Sequence, residues 1–221
     1  MKFRSIFDII GPIMIGPSSS HTAGAVRIGL FTRKIFKKEP KTIRITLFGS
    51  FKETYKGHGT DIALIGGLLG YDTFDTRIRN SLKTAKEKNI DFKFIESDIE
   101  HIHPNIATIA VMKDGERLEV SGKSIGGGKM VIFEIQGFEV EVSADFPTLF
   151  IFYKNGEDYK KIIEEEIKKL EIEIINFYYS SSIIEGKNLL VVETKEETTL
   201  EKIEKLKDCS AIYEIKSTTS V

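Results

Sequence analysis

The chain has 221 residues, of which 41% are hydrophobic and 29% are charged, a composition typical of folded globular domains and not of disordered or collagen-like chains. Its 32 Lys and Arg residues nearly balance its 33 Asp and Glu residues, so no positive surplus favours binding to nucleic acid. The single cysteine, Cys209, excludes an internal disulfide bond and a metal centre built from several thiolates of this chain.

Cysteine use and hydropathy also predict a location. One free thiol without disulfide bonds fits a reducing cytoplasm. No apolar run reaches the roughly 20 residues that cross a bilayer. Asp8, Gly11 and Pro12 interrupt the apolar stretch near the N-terminus, which argues against a targeting helix. We therefore expect a cytoplasmic protein without a membrane segment.

The first part of the chain predicts a mixture of helices and strands. Apolar pairs at helical spacing predict a helix at 22–37. A short, very apolar helix is expected at 61–69 and a charged helix at 79–88. Residues 41–48 alternate apolar and polar side chains, which predicts a half-buried strand. Residues 91–142 are mostly strand-like, with turns at 114–115, 126–128 and 136–137. These elements predict an α/β domain whose strand order the pattern leaves open.

The second part changes in composition. Sixteen of the 18 glycines lie at or before Gly137, so we place a boundary near 144–147 and expect domains at 1–145 and 146–221. The periodicity then predicts, in order, a strand at 148–153, a helix at 158–170, strands at 171–179 and 187–194 with a turn at 185–186, a helix around 200–206 and a strand at 211–215. This βαββαβ order predicts a ferredoxin-like α+β domain.

A run of hydroxyl residues precedes the first predicted helix. Ser18, Ser19 and Ser20 can cap that helix, and the amides that follow point outward at the positive end of its dipole. Such an end binds a carboxylate or a phosphate. It is not a Walker loop, because the Gly-Lys-Ser/Thr core is missing. The alternative is a helix cap with more hydroxyls than capping requires.

Two further segments carry histidines. His58 lies between two glycines, which predicts either an exposed imidazole that moves a proton or a solvent-facing turn residue. His101 and His103 precede a predicted strand at 106–112, and strand alternation would place them on the same side. Two histidines without a third ligand disfavour a metal site, so we expect one of this pair to be catalytic and held by Asn105 or a nearby hydroxyl.

The glycine run 124–129 leaves two readings open. It predicts a tight hairpin, or a backbone that approaches a ligand closely with Lys129 as an anion contact.

These segments carry a resemblance to a known family. The chain resembles the beta subunit of bacterial iron–sulfur-dependent L-serine dehydratase in seven segments: 7–12, 15–24, 49–50, 55–61, 66–70, 103–105 and 124–129. The first 145 residues are also similar to the allosteric substrate-binding domain of phosphoglycerate dehydrogenases, and the tail resembles an ACT domain.

The resemblance implies a two-chain enzyme that converts L-serine to pyruvate and ammonia. A [4Fe-4S] cluster held by cysteines of the alpha subunit would act as a Lewis acid on the serine hydroxyl. This chain would hold no metal, in agreement with its single cysteine.

The resemblance also implies roles for individual residues. His58 and His103 are the candidate bases, which the sequence does not separate, and His21 is a third candidate. The substrate carboxylate would be bound by Ser18, Ser19, Ser20 and Thr22 with the helix amides. The substrate-binding set would be completed by Gly59, Thr60, Asp61 and Asn105.

Other classes of function stay open. The chain could be a non-catalytic regulatory or scaffolding subunit, or a free-standing amino-acid sensor of the ACT type. The loop at 154–162 lacks the proline of effector-binding ACT domains and carries Glu157 and Asp158, which would repel a carboxylate. We therefore expect the tail to dimerise the protein and not to bind an amino-acid effector.

Overall fold

Residues 13–156, 158–181 and 186–221 are described by a computed structural model of the chain. Segment 7–12 of the resemblance, Glu157 and part of the turn at 185–186 lie outside these residues. The chain divides into two compact units: a first unit of Met1–Gln136 with Glu141–Ser143, and a second unit of Gly137–Val140 with Ala144–Val221. Their assignment to a serine dehydratase beta domain and an ACT domain stays a prediction.

A six-stranded sheet forms the base of the first part of the chain. In chain order its strands are β1 (Thr42–Phe48), β2 (Asp91–Glu96), β3 (Ile106–Lys113), β4 (Glu116–Gly126), β5 (Lys129–Ile135) and β6 (Phe138–Val142). Their spatial order is β2-β1-β3-β4-β5-β6. Strand β1 pairs in parallel with β2, whereas β1–β3, β3–β4 and β4–β5 are antiparallel. The turns predicted at 114–115, 126–128 and 136–137 are confirmed.

The register brings distant segments to one end of this sheet. Phe48 at the end of β1 lies opposite Ile106 at the start of β3, and Ile106 lies opposite Lys123 near the end of β4. The segments 49–61, 101–105 and 124–129 therefore leave or enter the sheet at the same end. We call this end of the sheet the site edge.

The helices of the first unit are α1 (Gly24–Phe36), α2 (Gly49–His58), α3 (Thr60–Leu68) and α4 (Ser81–Glu87). A π-helical turn, Ser19–Ala23, leads into α1, and a 3₁₀ turn, Thr76–Asn80, leads into α4. The predicted helices at 22–37 and 79–88 are thus each preceded or begun by a turn that is not α-helical, wider than an α-turn in the first case and tighter in the second. Helix α2 was not predicted, because Phe51 is its single buried residue and it carries no apolar period.

Helices α1 and α3 meet backbone to backbone. A Cβ atom on Gly29 would overlap the carbonyl oxygen of Leu64, and a Cβ atom on Gly67 would overlap the carbonyl oxygen of Val26. Helix α3 is buried on nearly all sides, which explains why its sequence is apolar without a polar face. These two glycines therefore allow the close approach of the helices whose N-termini lie near the polar segments.

The second unit has the predicted order of elements. It contains β7 (Thr148–Lys154), α5 (Tyr159–Lys169), β8 (Ile174–Ser181), β9 (Lys187–Thr194), α6 (Leu200–Lys207) and β10 (Ile212–Thr218). The sheet order is β10-β7-β9-β8, with antiparallel pairs. Ile163 and Ile167 of α5 and Ile203 and Leu206 of α6 pack against one face of this sheet.

No helix among the described residues is long and apolar enough to span a membrane.

Candidate functional site

The turn before α1 orders the serine run. Ser18 adopts an extended conformation and caps the turn, because its Oγ accepts a hydrogen bond of 3.1 Å from the backbone N of His21. The carbonyl of Ser18 accepts a second bond of 2.9 Å from the N of Thr22. Within the described part of the chain the hydroxyls of Ser19 and Ser20 have no hydrogen-bond partner. The predicted cap thus uses Ser18 and neither of the other two serine hydroxyls.

His21 lies in this turn and contacts helix α2. Its Nε2 is 3.0 Å from the Oγ of Ser50, and its ring packs edge-on against the ring of Phe51, with 5.4 Å between centroids. The ring of His58 lies 4.9 Å away at an interplanar angle of 79°. Burial, and then the neighbouring imidazole of His58, lower the pKa of His21. Both effects favour the neutral form of the His21 imidazole.

His58 ends α2 and is exposed. Its carbonyl accepts a hydrogen bond of 3.3 Å from Oγ1 of Thr22, which joins the end of α2 to the turn before α1. Gly59 then takes a left-handed conformation with φ of 71°. This single residue reverses the chain from α2 into α3 and keeps His58 beside His21.

The first turn of α3 contributes two polar side chains. Thr60 is fully buried, and its Oγ1 has no hydrogen-bond partner among the described residues. Asp61 is half-buried, and burial raises the pKa of its carboxyl, although the backbone N of Ile62 donates a bond of 2.8 Å to it. Whether either side chain contacts substrate stays a prediction.

The segment 101–105 is a loop and not the start of a strand. The prediction that His101 and His103 share one face by strand alternation is therefore wrong, because pairing with β1 begins only at Ile106. His101 is exposed and packs edge-on against Phe48, with 4.5 Å between ring centroids. The Nδ1 of His103 accepts a bond of 3.2 Å from the backbone N of Asn105. Burial, and then Lys123, lower the pKa of His103.

This loop lies against the start of α2. Gly49 has φ of 51°, and a Cβ atom on it would lie 2.6 Å from the carbonyl oxygen of Pro104. The same oxygen accepts a bond of 3.4 Å from the N of Phe51. The loop and Ser50 are thereby brought to neighbouring positions at the site edge.

The glycine run forms the predicted hairpin between β4 and β5, with positive φ at Gly126, Gly127 and Gly128. Just before it, Ser124 is fully buried, and its Oγ has no hydrogen-bond partner among the residues that the structure describes. A Cβ atom on Gly24 would overlap this hydroxyl. The hairpin therefore packs directly against the start of α1.

Among the residues predicted for the site, the structure brings His21, Thr22 and His58 into direct contact. His103 and Asn105 lie at the site edge as well. Between them, the carbonyl of Pro104 accepts a hydrogen bond from the N of Phe51, and the carbonyl of Asn105 accepts a bond of 3.0 Å from the N of Ser124. Sequence reasoning missed Ser50 as a site residue. Its one signal was membership of the short segment 49–50 in the resemblance.

The described residues contain no group of three or more His, Cys, Asp or Glu side chains that could hold a metal ion. Apart from the carboxyl of Asp61, the polar groups of the candidate site are hydroxyls, imidazoles and backbone amides, which are able to bind anions and move protons.

Comparisons with known proteins identify the family of the chain. The family described as "Serine dehydratase beta chain" matches residues 5–88. The "Probable L-serine dehydratase, beta chain" of Bacillus subtilis is 52% identical over 155 residues, covering 70% of each chain. The "L-serine dehydratase, beta chain" of Peptoniphilus asaccharolyticus is 41% identical over 155 residues, covering 69% of this chain and 70% of that protein. The "L-serine dehydratase" of Haemophilus influenzae is 34% identical over 184 residues, covering 71% of this chain and 39% of that protein.

The fold is mixed α/β, and its first unit brings histidines and hydroxyls together beside a helix N-terminus. Its relatives are L-serine dehydratases, which are enzymes of amino-acid metabolism. The chain belongs to the family of L-serine dehydratase beta chains. The designation of these relatives as beta chains implies a separate alpha chain.

Proposed function

We propose that this chain forms the carboxylate-binding and proton-transferring part of a two-chain L-serine dehydratase, which eliminates water and ammonia from L-serine to give pyruvate. The observation that carries the proposal is the contact between His21 and His58, 4.9 Å apart between ring centroids, beside the serine turn at the start of α1. Family membership supports the reaction, and the geometry supports the residue roles that we propose below.

The serine turn would bind the substrate carboxylate. Ser19 and Ser20 are half-buried, have no hydrogen-bond partner among the described residues, and precede a helix of 13 residues. The partial positive charge at the start of α1 favours an anion there. A Cβ atom on Gly126 would lie 4.0 Å from the Oγ of Ser20, so the hairpin borders the same place. The carboxylate would accept hydrogen bonds from hydroxyls and from the first free amides of the helix.

His58 would take the Cα proton. Its side chain is exposed at the end of α2, whereas the Nε2 of His21 is already occupied by Ser50. The Nδ1 of His103 is likewise occupied by the N of Asn105. A general base needs a free nitrogen within reach of the proton that it removes. His21 and His103 each have one ring nitrogen engaged in a hydrogen bond and are half-buried, whereas neither ring nitrogen of His58 has a hydrogen-bond partner among the described residues. We therefore assign the base to His58, and His21 and His103 would orient substrate and neighbouring groups.

The iron–sulfur cluster would belong to the alpha chain. A [4Fe-4S] cluster is held by cysteine thiolates, and the single Cys209 of this chain lies beyond α6 in the second unit. The chain's own residues therefore do not fit the cluster. We assign to this chain only the steps that its hydroxyls, amides and imidazoles can perform.

Replacement of the histidines in the assembled enzyme tests the proposal. His58→Asn should lower kcat/KM by about 100-fold or more, the usual contribution of a general base, whereas His101→Asn should leave it nearly unchanged. His103→Asn is the second test variant. Complex formation with the alpha chain is measured in parallel, so that loss of assembly is distinguished from loss of chemistry. Near-full turnover in both His58→Asn and His103→Asn would exclude a base from this chain and favour a regulatory or scaffolding subunit.

The second unit would act as a dimerisation domain of the ACT type. Strand β8 lies at one end of its sheet order, and the side chains of Ile175 and Phe177 on it are 45% and 46% exposed. An exposed apolar edge strand is suited to pairing with a second copy. Ile175→Lys should convert a dimer to a monomer in analytical ultracentrifugation. An unchanged mass would rule out this edge as the interface.

A further inference from the structure

The ring of His103 is held by the backbone of its own loop. Its Nδ1 lies 3.2 Å from the backbone N of Asn105. A backbone amide can only donate, so Nδ1 is the acceptor in this bond. A neutral imidazole carries one proton, and that proton must therefore be on Nε2. His103 thus offers an N–H donor at Nε2, which has no acceptor among the described residues.

The opposite orientation of the ring is unfavourable. A ring turned by half a rotation would place the carbon Cδ2 against the N–H of Asn105, which has no other acceptor in the described part of the chain, and an amide without a partner costs free energy. The loop itself is held on both sides. The carbonyl of Asn105 accepts a bond of 3.0 Å from the N of Ser124, and that of Pro104 accepts a bond of 3.4 Å from the N of Phe51.

Lys123 on β4 lies beside the same ring. It pairs with Ile106 of β3, three residues beyond His103. Lys123 is half-buried, and it forms no ion pair and no side-chain hydrogen bond with any residue that the structure describes. Burial, and then the charge of Lys123, lower the pKa of His103. A second proton on the ring would face this positive charge and would break the bond from Asn105.

The other charged or titratable groups near this loop do not offset Lys123. On α2, Lys52 forms an ion pair of 2.7 Å with Asp98, which precedes the histidines. His101 is exposed and packs against Phe48 at the end of β1. None of these groups contributes to the shift in the pKa of His103.

The position of the loop relates His103 to the candidate site. Pro104, the next residue, contacts the first turn of α2. In that turn Ser50 is hydrogen-bonded to the ring of His21. The His103 ring therefore lies at the site edge, next to the segment that holds His21.

We propose that His103 is fixed as the neutral imidazole with its proton on Nε2, and that this N–H donates a hydrogen bond to an oxygen of the substrate. Lys123 is the positioning residue that disfavours a second proton on the ring. His103 is then a donor and not the base, which leaves His58 as the base. The substrate as acceptor rests on the proposed dehydratase function, whereas the tautomer does not.

Nuclear magnetic resonance of the full chain, labelled with ¹⁵N in its four histidines, tests the tautomer without the partner. Above the pKa of His103 we expect a protonated Nε2 and an acceptor Nδ1. In Lys123→Met the tautomer should stay the same, and the pKa of His103 should rise by about 0.5, the effect of one nearby charge in a solvent-like medium. A wild-type His103 protonated at Nδ1 would overturn the proposal whatever the enzyme does.

Lys113→Met is the matched control. Lys113 is also half-buried and ends β3 opposite Glu116, at the end of the sheet away from the site edge. This variant should leave the titration of His103 unchanged. If Lys123→Met and Lys113→Met gave the same His103 titration, the role of Lys123 would be refuted.

The assembled enzyme separates a donor from a base. His103→Gln keeps an N–H near the position of Nε2 and should retain kcat/KM within about 10-fold of the wild type, whereas His103→Ala should lose about 10–100-fold, the effect of one hydrogen bond to a charged group. A base would be lost equally in both variants, by about 100-fold or more. His58→Gln is the comparison and should show that larger loss.

Equal, large losses in His103→Gln and His103→Ala would refute the donor role. Near-full activity of His103→Ala, with the tautomer intact in the spectra, would refute the contact with substrate. Failure of the dehydratase proposal itself would instead appear as full activity in both His58→Asn and His103→Asn, with the His103 tautomer of the wild type unaffected.

Discussion

The contact between Gly29 and Gly67 gives the sharpest test of how the first unit is built. In Gly67→Ala the new Cβ atom would overlap the carbonyl oxygen of Val26 and lie 2.5 Å from the backbone N of Leu30. Ordinary van der Waals contact begins at 3.4 Å, so α1 and α3 must separate by about 1 Å. A gap of that size forfeits roughly a quarter to a half of each dispersion contact along the interface.

Overpacking of this kind costs about 1–3 kcal/mol. Because the clash is with rigid backbone, we expect about 2–3 kcal/mol, which lowers Tm by roughly 4–12 °C. The matched control is Gly66→Ala, the preceding residue of the same helix, whose Cβ atom would meet only the side chain of Ile78 at 3.1 Å. Thermal unfolding followed by circular dichroism compares the two. Equal melting temperatures for Gly66→Ala and Gly67→Ala would refute the close approach of the helices.

Three further predictions concern the site edge. Gly24→Ala should lower the free energy of unfolding in urea, because its Cβ atom would overlap the Ser124 hydroxyl. The double variant with Ser124→Gly should lose less stability than the sum of the two single variants. Full additivity would contradict the contact. The free energy of unfolding should fall as the pH drops below about 6.5, because the pKa values of His21 and His103 are lowered in the folded state and the unfolded chain binds protons more readily. His103→Asn should show a flatter pH dependence of this free energy. The same slope in this variant and in the wild type would contradict the contribution of His103. Asp61→Asn should raise Tm at pH 7, because burial raises the pKa of this carboxyl and makes its charged form unfavourable in the folded state. This increase in Tm should disappear at low pH, where the wild-type carboxyl is protonated. An increase that persists at low pH would contradict burial as the cause.

Elements with a strong local period were predictable from the sequence. Strand β9 has the predicted bounds, and the helix with buried Ile163 and Ile167 appears as α5 because its apolar face repeats at helical spacing. The hairpin turns carry glycines that take positive φ, which is a local requirement and therefore visible locally.

The contacts that create the site were not predictable in the same way. The bond between His21 and Ser50 joins residues 29 positions apart, and it depends on the pairing of β1 with β3 and on a helix that buries only Phe51. A serine in a short exposed helix has no local pattern that marks it as a partner of a distant imidazole. The error at 101–105 has the same origin, because the start of β3 is fixed by pairing with Phe48 and not by the polarity of the loop.

The uneven distribution of glycine along the chain follows from this dependence on distant contacts. Gly24 meets Ser124, Gly49 meets Pro104, and Gly29 meets the backbone of α3, each across a long stretch of sequence. A side chain at any of these positions would separate two of the segments that carry the histidines and hydroxyls. The second unit needs no such contacts, because its helices pack on the sheet through the side chains of Ile and Leu residues. Several of the glycines whose excess marks a boundary in the sequence therefore also lie where segments of the first unit approach one another closely.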